Sequence, residues 1–416
     1  MRAPHALLVA LLFVTAAAHP VAGTHSTPER TETTATPLPD VVTVENTASQ
    51  LSLPADEVRQ TGYNSTGVDV GSATEAWSAQ HQHRQDALAF EERFRRSGGR
   101  EARTRLVTNR LAAIEAQEEA LDERQDRAIA RYARGEISAA SFLRTRLVVN
   151  AEANELLETL DRVQSAPDTA PDYSLNESTT SRLRDVEGEL RTLTGPVGNQ
   201  LQSGETTATD RRFYVEASEN GYMLATVTDD DYVRETRLDG ARDATAYDRF
   251  LSEAVNDGDP ETDRLNIADN RAASLYPWLY ERQRPSFTYY GMSGIYKLTA
   301  DHPNGELTAY LDGGTTEVFY EEQFRDLSDV RTTATASNVD GTLAVTVRQS
   351  GETGPLLVTA SNNETSASVD GTVTIDGQPV GTTGSDGVLW TIEPRGGYTV
   401  TVSSDSGDTS VVVPAS

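Results

Sequence analysis

Between residues 73 and 202, apolar positions recur at helical spacing. Ser72 is placed to cap a first helix through Trp77, Leu88, Phe90 and Phe94, which Gly98-Gly99 ends. Val107, Leu111, Ile114, Leu121, Ala128 and Tyr132 then fall three or four residues apart and predict a helix over 101–134. Glu118 and Gln125 occupy the remaining places in that stripe. The seam is therefore imperfect, and a third helix or a partner helix is expected to cover it. Gly135 ends this helix, and Ser138 is positioned to cap the next, which carries Phe142, Val149, Ala153, Leu156, Leu160 and Val163 on one face. Two such stripes joined by a short turn predict an antiparallel helical hairpin or coiled coil. Pro167–Pro171 breaks the pattern, and a shorter helix is expected over 178–194.

Near Ser203 the period changes to two. Phe213–Ala217, the turn Glu219-Asn220-Gly221 and Tyr222–Thr228 read as a hairpin, since Asn-Gly is a strong signal for a tight turn. A third strand follows over 232–238. Helical spacing returns over 245–255 and 266–280, and alternation returns over 287–290, 295–300, 305–311 and 317–323. The block 211–323 is thus expected to be an α+β domain with its helices between two strand groups. From about Val330 the chain is strand after strand, punctuated by Gly, Asn and Asp turns. Val373 and Ile375 alternate with threonines, Asp376-Gly377 and Asp386-Gly387 supply turns, and Trp390 and Tyr398 are expected to fill the interior between two sheets.

Three resemblances follow from these residues. Gly371-Thr-Val-Thr-Ile-Asp-Gly377, Val380-Gly381, Asp386-Gly387 and Gly397-Tyr-Thr-Val-Thr-Val402 resemble the carboxypeptidase-regulatory or transthyretin-like β-sandwich, which implies an accessory module without catalytic groups. A helix followed by the hairpins of 295–320 resembles the PepSY repeat of exported proteins over 266–323. The arrangement as a whole, with Gly135-Glu-Ile-Ser138, Leu275-Tyr-Pro-Trp278 and Asp301-His-Pro-Asn-Gly305, resembles uncharacterised secreted multidomain proteins of halophilic archaea, a likeness that implies no reaction. The expected fold class is multidomain: a helical hairpin or coiled coil, then an α+β domain, then an all-β immunoglobulin- or transthyretin-like sandwich. The expected boundaries are 1–23 signal peptide, 24–72 Thr/Pro-rich spacer and arm, 73–202 helical domain, 203–325 α+β domain and 326–416 sandwich.

Charge narrows the list of partners. The chain has 64 acidic against 36 basic residues, a formal net charge of −28, and Lys297 is its single lysine. Such a surface repels nucleic-acid phosphate, so nucleic acid is not expected as a partner. Carboxylates that hold water and cations in concentrated salt account for the excess, so an acidic cluster carries less functional information here than in a neutral protein. The run Ala6–Ala18 after Arg2 is too short to span a bilayer and ends in small residues, which reads as a secretory signal for the general export route. No membrane insertion is expected once it is removed. The chain has no cysteine, which excludes disulfides, thiolate metal sites and thiol nucleophiles.

Candidate chemistry is sparse. His81 and His83 lie two apart on a helix and point to different faces, and His302 sits in a turn between Asp301 and Pro303. Neither HExxH nor GxSxG occurs. Paired carboxylates for glycoside hydrolysis could be drawn from Asp229-Asp230-Asp231, Asp257 with Asp259, or Glu321-Glu322. Asp257, Asp259, Glu261 and Asp263 cluster around a glycine and form a candidate calcium loop without the EF-hand pattern, so a structural calcium is the one cofactor candidate. Asn64, Asn176 and Asn363 head glycosylation sequons. Tyr276, Trp278 and Tyr280 concentrate aromatics and are either a contact point or core.

These observations predict an exported, non-enzymatic envelope or extracellular protein that contacts another protein or a surface glycan in high salt, with self-association through the helices as a further expectation. Two other readings stay open: a secreted hydrolase with paired carboxylates in 211–323, and a regulator or inhibitor of exported proteases.

Overall fold

The computed structural model describes residues 41–42, 50–65, 84–202, 212–228, 230–254, 260–281 and 284–415. The expected signal and spacer, the Ser72 cap, His81, His83, Asp229, Asp257 and Asp259 lie outside them. Leu38–Ser416 is one compact unit.

Helix α1 spans 84–96 and α2 spans Arg100–Ala133. At about 1.5 Å per residue, α2 is about 50 Å long. It stops where the sequence says it must. Gly135 takes φ 71°, its N–H donates to Tyr132 O at 2.8 Å, and Glu136 N–H donates to Arg131 O at 2.9 Å. That pair of bonds closes the orphan carbonyls of the last turn, and only glycine takes this backbone conformation at little cost. Ser138 caps α3, Ala139–Ser165, by accepting from Ser141 N–H at 3.2 Å. Helix α4, Glu177–Leu193, starts one residue earlier than its spacing suggests. Asn176 is its cap, accepting from Thr179 N–H at 2.8 Å.

The predicted stripes pack together. Val107, Leu111, Ile114 and Leu121 of α2 meet Val149, Ala153, Leu156, Leu160 and Val163 of α3, with Leu183, Val186, Leu190 and Leu193 of α4 and Phe90 and Phe94 of α1 completing one core. Each of these larger side chains contributes about 1.5–3 kcal/mol by leaving water. A short helix α5, Pro196–Gln202, follows. The lower end of the hairpin, with Ile129, Tyr132, Phe142 and Leu143, turns onto a sheet and packs on Phe213, Val215, Tyr222, Leu224 and Val233. The imperfect seam is thus covered within the chain, by α4 and by the sheet.

That sheet is antiparallel and eight-stranded. Two short strands, β1 (Val41–Val42) and β2 (Gln50–Leu51), pair with each other beside it. The sheet itself contains β3 (Gln60–Ser65), β4 (Arg212–Ser218), β5 (Gly221–Val227), β6 (Asp231–Leu238), β7 (Ser286–Tyr290), β8 (Ile295–His302), β9 (Gly305–Asp312) and β10 (Val318–Asp326). Its order is β3-β4-β5-β6-β10-β9-β8-β7, so two meanders meet at the β6–β10 pair. The first strand comes from the expected arm, before the helices. Helices cover one face. The other carries α6 (Arg249–Glu253), α7 (Pro260–Leu275) and α8 (Pro277–Tyr280), with Phe250, Ala268, Ala272, Tyr276 and Leu279 in contact with the strands. Both faces are covered, so β4–β6 are buried almost throughout instead of alternating. The helix expected over 245–255 is short, capped by Asp248, and Tyr247 before it is 73% exposed.

The last layer is a β-sandwich of two four-stranded sheets, one ordered β11 (Thr333–Asp340), β12 (Leu343–Gln349), β13 (Pro355–Asn362), β16 (Val388–Ile392), the other β15 (Gln378–Thr382), β14 (Thr372–Ile375), β17 (Tyr398–Ser404), β18 (Gly407–Val413). Its core includes Leu343, Val345, Val358, Val373, Ile375, Tyr398, Val400 and Val411. Asp376-Gly377 takes positive φ at both positions, as its tight hairpin requires. Tyr398 fills the interior as expected, but Trp390 does not. On β16, Val388–Ile392, Leu389 points inward, so Trp390 and Ile392 emerge on the opposite side and pack on the central-sheet cluster.

Candidate functional site

The densest chemistry lies where the meanders join. β6 and β10 pair antiparallel with Tyr320 opposite Arg237, Glu321 opposite Thr236, Glu322 opposite Glu235 and Gln323 opposite Arg234. Opposed residues share a face and neighbours alternate, so each strand sends charge in both directions. Arg234, Glu235, Arg237, Glu321 and Arg325 are all at most 4% exposed. Buried ions are costly unless paired, and the partners determine what this seam does.

On the helical face, Arg146 of α3 donates to Glu235 Oε1 at 3.0 Å and to Gln125 Oε1 of α2, and lies 5.0 Å from the Tyr222 ring. Burial alone would lower the Arg146 pKa, but the partial charges of Tyr222 and the Glu235 carboxylate outweigh it and raise the value. Glu235 Oε2 accepts from Val197 and Gly198 N–H at 3.1 and 3.3 Å, the first turn of α5. The approach is close enough that a Cβ on Gly195 would lie 2.8 Å from Glu235 Cδ, and one on Gly198 would lie 2.6 Å from Asn150 Cγ. Arg237 donates to Asp122 Oδ1 of α2 at 2.9 Å and to Thr192 O of α4 at 3.2 Å, and Tyr320 OH donates to Thr194 O at 2.6 Å. Half-buried Glu322 is pushed to about 8, first by burial and then by the Glu235 charge, against the pull of Lys297 and Arg191. Lys297, the one lysine, is lowered by burial.

The opposite face ties in the arm and the sandwich. Glu321 accepts from Leu51 N–H at 2.9 Å, Tyr276 OH at 2.6 Å and Gln323 Nε2 at 2.8 Å. Burial raises its pKa against those bonds and Arg234. Arg234 donates to Leu51 O at 2.8 Å. Gln50 donates to Glu352 O at 3.0 Å in the sandwich, and Tyr232 OH to Thr353 O at 2.6 Å. Arg395 of the sandwich pairs with Glu216 of β4 at 2.9 Å, and Tyr214 OH donates to the same carboxylate at 3.0 Å.

The residues singled out in the sequence fall elsewhere or take structural roles. Tyr276 is fully buried on Glu321, Trp278 is half-buried edge-on to His302 at 5.1 Å, and Tyr280 donates to Asp269. These three therefore form no common exposed surface, because Pro277 breaks the helix and turns Tyr276 inward. Glu261 and Asp263 lie in the first turn of α7, with Glu261 bonded to Tyr289. Among the described residues no three acidic or histidine side chains are grouped to hold a metal. Burial lowers the His302 imidazole to about 4, and its Nδ1 accepts from Asn304 N–H. Asn176 and Asn363 are exposed, whereas Asn64 sits on β3 with its Nδ2 enclosed. Glu321 and Glu322 are neighbours on one strand and so face opposite layers. The facing carboxylates are Glu235 and Glu322, a pair visible only once the strand register is known.

Residues 1–210, just over half of the chain, match the model for a domain of unknown function, DUF7096. The chain belongs to the DUF7096 family. In this DUF7096 protein, residues 213–331 match a family of unknown function, DUF7094, and residues 334–411 match an archaeal fibronectin-III type-like domain. No curated protein and no solved structure gives a match. The turn motifs that resemble a carboxypeptidase-regulatory sandwich therefore lie within a fibronectin-III type-like match, and what holds is the β-sandwich. The latches cross both family boundaries: Arg146–Glu235 joins DUF7096 to DUF7094, and Glu216–Arg395 joins DUF7094 to the sandwich.

Proposed function

We propose that the chain is a non-catalytic surface or extracellular protein that presents its helical layer to another protein or a glycan. The observation that carries this reading is the use made of the central charges. Glu216, Glu235 and Glu321 each hold two layers together and have their oxygens occupied by named donors. Residues so committed make a rigid mount, and the fibronectin-III type-like module is of a kind that serves as a spacer or docking unit. Export and a halophilic origin complete the reading, supported by the Ala6–Ala18 run and the charge of −28. Among the described residues no helix is long and apolar enough to cross a membrane.

The test has two arms. Tagged full-length chain, expressed in a salt-loving archaeal host, is fractionated and used to capture partners from envelope extract in molar salt. Recovery outside the cytoplasm with a saturable envelope partner supports the reading. The second arm sets the purified chain against glycoside and ester panels and against supernatant proteases. Turnover that Glu322→Gln abolishes would favour the hydrolase, and inhibition of proteolysis would favour the PepSY-like regulator.

A further inference from the structure

A chain with a net charge of −28 places seven arginines and one acidic residue within 93–110. This segment forms the elbow between α1 and α2, and an open cavity of about 500 Å³ lies there, lined by Arg93, Arg96 and Arg105 with Ser97, Leu106 and Asn109. Part of the charge has a local structural role. Arg95 and Arg96 share Glu92, Arg100 donates to Ser174 Oγ at 3.0 Å, and Arg103 lies 5.6 Å from the Phe94 ring. Arginines near the end of α1 also suit the negative end of its dipole. Nearby Glu91 is taken by Arg162 at 3.0 Å. That leaves exposed Arg93 and Arg105 without an ion pair among the described residues, in the same cavity, on a protein with 64 acidic side chains to choose from.

We infer that the α1–α2 elbow is a binding site for a sulfate or phosphate ester carried on a sugar-sized group. Guanidinium forks match the oxygens of such esters, and two without an ion pair, beside the Glu92-paired Arg96 in the same cavity, suit a multi-oxygen anion better than a single carboxylate. The cavity is in the size range of small-molecule sites and leaves room beyond the anion itself. The Asn109 carboxamide and the Ser97 hydroxyl line the cavity as partners for sugar hydroxyls, and Leu106 supplies an apolar wall. An extended polyanion is disfavoured because its flanking charges would lie along the acidic surface around the elbow, whereas a discrete group inside the cavity meets only the arginines. The inference is independent of the function proposed above, since a free sugar ester satisfies it as well as a modified surface glycan.

Titration calorimetry of the full chain at constant ionic strength tests it, because sulfate stabilises proteins generally and a melting shift alone would mislead. The probes are inorganic sulfate, inorganic phosphate, glucose 6-sulfate and glucose 6-phosphate. Saturable binding of at least one sugar ester is expected, weakened tenfold or more by Arg93→Gln with Arg105→Gln, with circular dichroism confirming the fold. Asn109→Ala is expected to weaken the sugar esters and leave the inorganic ions unchanged. Arg127→Gln, on an exposed arginine paired with Glu123, should change nothing. No saturable heat with any probe, or equal weakening by Arg127→Gln, would overturn the site. The ratio of the two sugar esters identifies which ester it prefers.

Discussion

Arg146 and Glu235 meet 3.0 Å apart with neither side chain exposed, one from a helix and the other from the middle of the sheet. Removing one member strands a buried charge, which costs about 3–5 kcal/mol, while replacing both with apolar groups of similar volume can be close to neutral. Arg146→Met is therefore expected to lower the unfolding free energy by about 3–5 kcal/mol, and Arg146→Met with Glu235→Leu to recover a substantial part of it. Denaturant unfolding in high salt reads both. An additive double variant would show that the two are not coupled.

The elbow before α5 has no room for a side chain. Gly195→Ala drives a methyl group against the Glu235 carboxylate and the Tyr320 hydroxyl and should cost about 1–3 kcal/mol. Gly98→Ala, which would meet nothing within 4 Å, is expected to change stability by less than about 0.5 kcal/mol, and denaturant unfolding of the two variants side by side measures the difference.

Tyr276→Phe should cost about 1–3 kcal/mol, because it takes away a donor from fully buried Glu321. If Tyr276 were instead a contact residue, the substitution would leave the melting temperature unchanged and weaken capture of a partner.

Glu322 sets a pH dependence. Its pKa rises from 4.5 in the unfolded chain to about 8 in the folded one, so the folded state holds its proton more tightly. The stability this supplies is present in full below about 4.5 and is lost as pH rises towards 8. Glu322→Gln should flatten part of that decline and stabilise the protein relative to wild type above pH 8. The slope that remains is expected from half-buried Glu118, also raised to about 8, and from Glu393, raised to about 7, both mainly by burial. Chemical unfolding from pH 5 to 9 measures it. A wild-type slope of opposite sign would contradict the burial of these carboxyls.

Arg395→Gln should loosen the sandwich without unfolding it, because this half-buried arginine bonds Glu216 at 2.9 Å and Leu53 O at 3.4 Å. Faster protease cleavage near Asp326–Thr333, with a lowered melting temperature because buried Glu216 loses its cation, is the expected result.

Helix positions and strand order within each meander were legible because their causes are local. Gly135, Ser138 and the three- and four-residue steps each act within one or two turns. The pairing of β6 with β10 was not, since it joins residues about ninety positions apart and no turn sets its register. Its only trace in the sequence is charge in unlikely places. Gln125, one of the two polar residues in the α2 seam, accepts from Arg146, which in turn reaches Glu235 of β6. Trp390 misled because alternation fixes which residues share a side but not which side is inside. Both sides of β16 are covered.

Strand β3 belongs to the segment that precedes the helices, yet it pairs along its whole length with β4, the first strand after them. Neither matched family can therefore be cut from the other at residue 210 without leaving a raw seam. A helical fragment would carry an orphaned ribbon, and the remaining sheet would offer an uncapped rim to any stray chain. Clumping of either half when made alone is the expected consequence of cutting that one stitch.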